Sequence, residues 1–376
     1  MPLRGTTWDH PRGWSPLVAL ASTDPELAVR WDVRSLVQFG AQSLADLADT
    51  YDLLVLDHPF IGEGASQGLL CPLDELLDPV QLVSVRAGHD PRFVRSYSWM
   101  GRLYALPIDA ACHVGVVRPD LVPGPLPPTW QEVLAVARTP QWREHMVTAL
   151  GPVDAWCAFL TLCASQGQGL FINPVQALPA VPAARSMTML RDLAELGPSQ
   201  ASEWTPIDVL ERMSTGDDIW ASPLLFGYAP YERPGFRLRG LRFERPPGFP
   251  GQCCRPLVGG AGIAVSARSG HQRDAALAAL RLGTAEIQLG GYRRADGQPA
   301  HPDAWREGSE GFFARTAAAL ADGFIRPTFE GFADYQARSF AVVHEAIWRG
   351  ADIEAAINHL NRDWERMVKG MANDRG

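Results

Sequence analysis

Lysine is nearly missing from this 376-residue chain: of its 34 basic residues, Lys369 is the sole lysine. That reads as genome composition, and it leaves an ε-amino Schiff base without support. An excess of positive charge is missing as well. The formal net charge of −8 argues against nucleic acid as a main partner, because phosphate binding needs clustered cations. No apolar run of about eighteen residues occurs, so no segment is expected to span a membrane. The opening Met1-Pro-Leu-Arg-Gly-Thr-Thr-Trp8 has neither a cationic n-region nor an apolar h-region, so the chain as written reads as cytoplasmic. The six cysteines, at 71, 112, 157, 163, 253 and 254, lack the CxxC spacing of a zinc site, and no metal or cofactor is expected. Cys253-Cys254 reads as a pair of inert thiols in preference to a strained vicinal disulfide.

What is present fits a globular α/β chain. Its 46% hydrophobic and 20% charged residues exclude disorder, and its length favours two domains. Residues 3–8, 29–34 and 52–57 read as strands, the third wholly apolar in its middle, as in a parallel sheet. Helices are expected near 15–22 and 44–49, then at 130–138, 141–148, 153–165 and 183–196. Residues 219–225 and 237–243 read as strands, and Val258-Gly-Gly-Ala-Gly-Ile-Ala-Val265 as a strand whose first half is almost free of side chains. Helices follow at 274–289, 310–321, 332–349 and 351–367. In the last of these, Ile353, Ala356, Ile357, Leu360 and Trp364 form one apolar stripe.

The organising stretch is Tyr104-Ala-Leu-Pro-Ile-Asp109-Ala-Ala-Cys112-His-Val-Gly-Val-Val117. It reads as two short strands separated at Pro107, with Asp109 at a crossing from one lobe to another. Five prolines between 119 and 128 then enforce an extended path. Thr129 and Glu132 form a capping box ahead of the next helix.

This phrase, closing on Pro128-Thr129-Trp130-Gln-Glu-Val-Leu134, resembles the lobe crossing of the family-1 extracellular solute-binding proteins. The segment from Tyr51 to Leu77 is similar to the same family, and so is Gly350-Ala-Asp-Ile-Glu-Ala-Ala-Ile357. The resemblance spans nearly the whole chain. It implies a two-lobed, periplasmic-binding-protein-like type II α/β fold, each lobe an open, mostly parallel sheet flanked by helices. Lobe 1 would comprise 1–109 with 256–305, and lobe 2 would comprise 110–255 with 306–376, with crossings near 109–111, 255–260 and 305. It further implies a monomer that captures a small polar, saccharide-like solute by hinge closure and serves the permease of an ABC importer. That family is normally exported, and the opening of this chain departs from it.

Ligands of open α/β sheets sit at the carboxyl ends of strands. The loop Trp8-Asp9-His10-Pro11-Arg12-Gly13 offers there an indole face, a carboxylate, an imidazole and a guanidinium, a set suited to sugar C–H faces and hydroxyls. The alternative is an Asp9–Arg12 pair and a core Trp8. Asp57-His58-Pro59 ends the third strand at the same edge, where helix capping accounts for it equally well. Asp109 needs a partner if buried: a ligand hydroxyl, a backbone amide or an arginine. Phe226, Tyr228 and Tyr231 follow a strand of the second lobe, where an opposing aromatic wall is expected, although core packing accounts equally well for Phe226. Gly259 and Gly260 allow close approach, of a ligand or of a neighbouring strand. Gln298, Arg294, Tyr335 and Gln336 are weaker candidates.

Cys112 opens an enzymatic alternative. Thiaminase I resembles a solute-binding protein with a nucleophilic cysteine just after the same A-L-P phrase, and Cys112 stands five residues after Pro107, although the spacing differs by one residue. A transferase or lyase using Cys112 is therefore weighed against a buried core thiol. Successive strand residues point to opposite faces, so His113 is poorly placed as its base.

Overall fold

The computed structural model describes residues 2–35, 43–306 and 310–373. Nine strands, β1 (Leu3–Trp8), β2 (Val29–Arg34), β3 (Leu53–Leu56), β4 (Ser98–Trp99), β5 (Arg102–Leu103), β6 (Ala105–Val117), β7 (Ala221–Phe226), β8 (Arg242–Glu244) and β9 (Val258–Val265), appear among the described residues. β4 and β5 form a small hairpin of their own. The other seven are ordered β2-β1-β3-β9-β6-β7, with β8 also on β6.

β6 is the spine. It is a single strand of 13 residues, buried throughout, in place of the two strands expected on either side of Pro107. The irregularity at Pro107 is absorbed as a register shift between Pro107 and Asp109 opposite β9. Proline lacks an N–H, so a bulge lets the ladder continue past it. The first part of β6 pairs with β9 through Cys112, and the remainder pairs with β7 and β8. One strand thus belongs to two sheets.

Between the named strands, parallel pairing is confined to β2, β1 and β3. β9 runs antiparallel to both β3 and β6, and β7 and β8 run antiparallel to β6. The mostly parallel pattern expected for each lobe therefore holds around β1 and gives way to antiparallel pairing around β6. Here β6 runs through both sheets, and each strand paired with it runs in the opposite direction.

Each sheet has its own core. Leu53, Leu54, Val55, Ile263, Leu17 and Trp8 lie in one. The other gathers Trp130, Trp156, Phe159, Leu190, Tyr335 and Trp364 around the Pro152–Ala164, Ala180–Leu196 and Phe332–Trp348 helices. The stripe of the last helix, Ile353–Asn373, docks there as expected, with Leu360 and Trp364 buried. The capping box is present: the Glu132 amide donates to Thr129 Oγ1 at 3.3 Å, and the Thr129 amide donates to Glu132 Oε2 at 3.1 Å.

Residues 141–148, expected as a helix, form a turn followed by an extended segment. Met146 bridges Ala221, and the Val147 amide donates to Ala221 O at 3.0 Å. Pairing with the edge of β7 outweighs local helix propensity there. The strand expected over 237–243 is reduced to β8. The Gly-rich half of β9 is explained by close approach. Gly260 has φ of +122°, and a Cβ there would lie 2.2 Å from Asp109 O, so only glycine lets β9 come this near β6.

Candidate functional site

The carboxyl end of β1 turns directly into the Pro11–Thr23 helix. His10 is its N-cap: Nδ1 accepts the Arg12 amide at 3.0 Å, and Pro11 supplies the preset φ of the first turn. This turn directs Arg12 inward. Its Nε donates to Asp109 Oδ2 at 2.9 Å and Nη2 to Asp109 Oδ1, while Nη1 donates to Gly227 O at 3.0 Å. The guanidinium also lies over the Tyr228 ring, 4.7 Å from its centroid. Arg12 thereby ties the helix after β1, the middle of β6 and the loop after β7 together.

Burial alone would raise the Asp109 carboxyl, and Arg12 opposes that rise. Burial would likewise discharge Arg12, yet Asp109 more than compensates and its pKa goes up. We take the pair as ionised, because guanidinium does not deprotonate in proteins and the two-pronged geometry is that of carboxylate with guanidinium. This settles the open question at Asp109: the arginine partner is Arg12.

A second buried pair lies at the end of β3. Asp57 caps the short turn His58–Phe60, accepting the His58 amide at 2.8 Å on Oδ1. Its Oδ2 accepts Arg326 Nη2 at 2.6 Å, and Arg326 Nη1 donates to Gln336 Oε1 at 3.1 Å. Burial would push Asp57 up, but Arg326 and then His58 hold it well below the usual carboxylate range. Tyr97 lies within electrostatic reach of Asp57, Asp109, Arg326 and Tyr292. Its ring stands edge-on to His58 at 6.2 Å and lies against Gly262, which pairs with Pro107 two residues before Asp109.

Several of these side chains carry buried polar atoms without a protein partner. They are His10 Nε2, His58 Nε2, Tyr292 Oη and Arg326 Nε. Because His10 Nδ1 accepts the Arg12 amide, its Nε2 carries the proton and is a donor. His58 Nδ1 lies 3.0 Å from Asp57 Oδ1 and donates to it, so its Nε2 is an acceptor. Burial, followed by the charges of Arg12 and Arg237, lowers the His10 imidazole to about 3. Aromatic rings complete the wall: His10 stands edge-on to Tyr228 at 4.6 Å and stacks beside Tyr231 at 5.9 Å.

The other expected residues fall differently. Trp8 belongs to the core, with its indole against Gly13, where a Cβ would sit 2.4 Å from the ring. It offers no open face. Asp9 is exposed and does not pair with Arg12; its amide donates to Arg34 O at 2.7 Å. Gly259 accommodates the Phe226 ring and Gly260 the β6 backbone, so both serve strand packing. Gln298 is fully used by the protein: its backbone and side chain bond Ala110 and the Ala229 amide at 2.7–3.0 Å. Tyr335 is core, Gln336 supports Arg326, and Arg294 is exposed.

The thiol alternative is corrected by the surroundings of Cys112. It is buried among Val114, Val116, Phe243 and Leu320, and burial, with Cys254 next, pushes its thiol up. His113 donates or accepts at Thr161 Oγ1, 2.7 Å away, and burial lowers it to about 3. Neither a thiolate nor a base is available. All six cysteines are free.

Sequence reasoning missed Arg326, Tyr292 and Tyr97. Arg326-Pro327 marks a break between helices in the sequence, but nothing local links it to Asp57, 269 positions away. Two surface hollows of about 510 Å³, one along the last helix and one between His89 and His301, include none of the expected residues.

No protein-family model and no curated protein matches the chain. Solved structures do. MalE3 of T. maritima, maltose bound, superposes with a TM-score of 0.77 at 16% identity, over 97% of this chain and 99% of that one. An ABC transporter solute-binding protein from Agrobacterium radiobacter K84, in complex with ribitol, gives 0.79 at 18% identity, over 98% of each chain. Another from Thermotoga lettingae TMO, bound with α-D-tagatose, gives 0.81 at 14% identity, over 98% and 99%. The fold is that of the two-lobed solute-binding proteins. In this chain the His10–Arg12 turn meets Tyr228, and the Asp57 turn meets Arg326. Among the described residues, no helix is long and apolar enough to cross a membrane.

Proposed function

We propose that this chain captures a small polar, carbohydrate-like solute between its lobes and presents the closed form to the permease of an ABC importer. Lobe 1 is read as 1–109 with 256–305, and lobe 2 as 110–255 with 306–376. On that division, Arg12 to Gly227 and Asp57 to Arg326 are contacts between lobes. The observation that carries the reading is the set of buried, unpartnered groups at the seam, a mixture of donors (His10 Nε2, Arg326 Nε, Tyr292 Oη) and an acceptor (His58 Nε2). Leaving such groups unsatisfied costs about 1–3 kcal/mol each. A hydroxyl both donates and accepts, so a polyhydroxy solute satisfies the mixture, and Tyr228 supplies an aromatic face for its C–H surface. The maltose, ribitol and α-D-tagatose named for the three similar structures support the same class.

Closure gains free energy in proportion to the ligand's preference for the closed form. A thermal melt against saccharides and polyols tests this. A ligand at a hundred times its Kd adds about 2.7 kcal/mol, so at least one member of the panel is expected to raise Tm clearly. A flat response across the panel would sink the reading.

A further inference from the structure

Just beyond Asp57 the chain enters the short Ile61–Ser66 helix, whose second residue is Gly62. Gly62 is buried and its φ is not positive, so its own backbone does not call for glycine. Alanine is the better helix former at such a position. The reason for glycine lies in what faces it. A Cβ on Gly62 would stand 2.3 Å from Thr328 O and 2.6 Å from the carbonyl carbon of Phe329. Both are backbone atoms, which cannot swing aside as the tip of a flexible side chain does. On the division of lobes given above, this is a contact of lobe 1 with lobe 2.

Both sides of the contact are anchored in their own cores. Ile61 is buried in the core that holds Leu53 to Leu56. Phe329 packs on Phe332 at 5.7 Å and on Trp364 at 5.4 Å in the other core. Beside it lies the Asp57–Arg326 pair, at 2.6 Å, with only 5% of the Arg326 side chain exposed. Each partner is preset by a neighbour of its own lobe: the His58 amide donates to Asp57, and Arg326 donates to Gln336. The His58–Phe60 turn also touches the Phe332–Trp348 helix. All of these groups belong to the chain, so the contact needs no solute to form. Such a close-packed, charge-assisted contact is made in full on closing and lost on opening.

Resting on the capture reading and its division of lobes, we propose that the Gly62 notch and the Asp57–Arg326 pair latch the lobes together. The closed form is then the resting state, and the solute enters during transient opening. Gly62 acts as a positioning residue, since it sets how closely the two lobes approach. The consequence is kinetic: association is slowed in proportion to the small open fraction, and loosening the latch speeds it.

The test is small-angle scattering on protein unfolded, dialysed and refolded to remove any solute, followed by stopped-flow binding of a saccharide or polyol from the melt panel. The solute-free wild type is expected to have the radius of gyration of the solute-saturated protein. Gly62→Ala, which wedges the contact, and Arg326→Gln, which unpairs it, are each expected to enlarge the solute-free form. The association rate should rise about tenfold or more in Gly62→Ala. Gly64→Ala is the control, because its Cβ would meet only Leu70 and Leu44 side chains of the same lobe, 2.5 and 2.9 Å away; it should lower Tm without expansion. Where Gly62→Ala does not fold, Arg326→Gln carries the comparison. A solute-free wild type that contracts on adding solute, variants that leave its size unchanged, or equal expansion in Gly64→Ala overturns the latch and leaves the capture reading standing. Failure of every saccharide and polyol to bind overturns that reading, while the solute-free comparison still decides the latch.

Discussion

Removing one member of the Arg12–Asp109 pair is expected to have unequal consequences, depending on which is removed. In Asp109→Asn the buried guanidinium keeps its charge, because arginine does not deprotonate, and loses its counter-ion. Breaking a buried pair in this way costs about 3–5 kcal/mol. In Arg12→Met the stranded group is a carboxyl, and it can take up a proton. Burial already pushes Asp109 upward against the pull of Arg12, so without Arg12 its folded pKa rises further above the unfolded value. Between those two pKa values the folded state binds more protons than the unfolded one. Stability of Arg12→Met is then greatest below the unfolded pKa and falls as pH rises towards the folded one. Urea melts of both variants from pH 4 to pH 8 should show Asp109→Asn strongly destabilised throughout, and Arg12→Met progressively rescued as pH falls. Equal, pH-independent losses below about 1 kcal/mol, the range of exposed pairs, would refute the picture of a buried ion pair.

The second pair should follow the opposite sign. Arg326 holds Asp57 below the usual range, so its contribution is present above the unfolded pKa and is lost as pH falls towards the depressed one. The stability gap between wild type and Arg326→Gln should therefore narrow between pH 5 and pH 2; a constant gap would count against the pair. Gly260→Ala, at φ +122° and 2.2 Å from Asp109 O, should cost about 2–3 kcal/mol, more than Gly259→Ala, whose Cβ meets only the Phe226 ring at 3.0 Å. Thermal melts decide the order. Among the cysteines only Cys253 is exposed. One thiol should react rapidly with a soluble alkylating agent, and that reaction should vanish in Cys253→Ser and persist in Cys112→Ser.

Much of the fold was legible in the chain, because local pattern and tertiary role agree over β1, β2, β3 and β9. The Thr129 cap and the stripe ending at Trp364 were legible for the same reason. Where the two disagree, the sequence misled. Residues 141–148 have helical periodicity, but the edge of β7 recruits Met146 and Val147 into pairing. Pro107 reads as a strand break, yet a bulge opposite β9 absorbs it.

The site was legible by position and not by contact. His10, Arg12, Asp109 and Tyr228 do contact one another, and Asp57 lies at a separate pair with Arg326; the ends of β1 and β3 in an open α/β sheet account for the positions of the two turns. Trp8 was misleading because an aromatic at a strand end serves the core as well as a ligand. The partners of the acids, Arg326 above all, were out of reach because contacts across more than two hundred residues leave no local trace.

The central claim is that the solute sits between the lobes at the Arg12–Asp109 and Asp57–Arg326 pairs. Hydrogen exchange with and without a binding saccharide or polyol from the melt panel tests it most directly. Protection concentrated at 8–13, 57–63, 226–231 and 324–328 is the expected result. Protection confined to the hollow between His89 and His301, or to the face of the last helix, would contradict it.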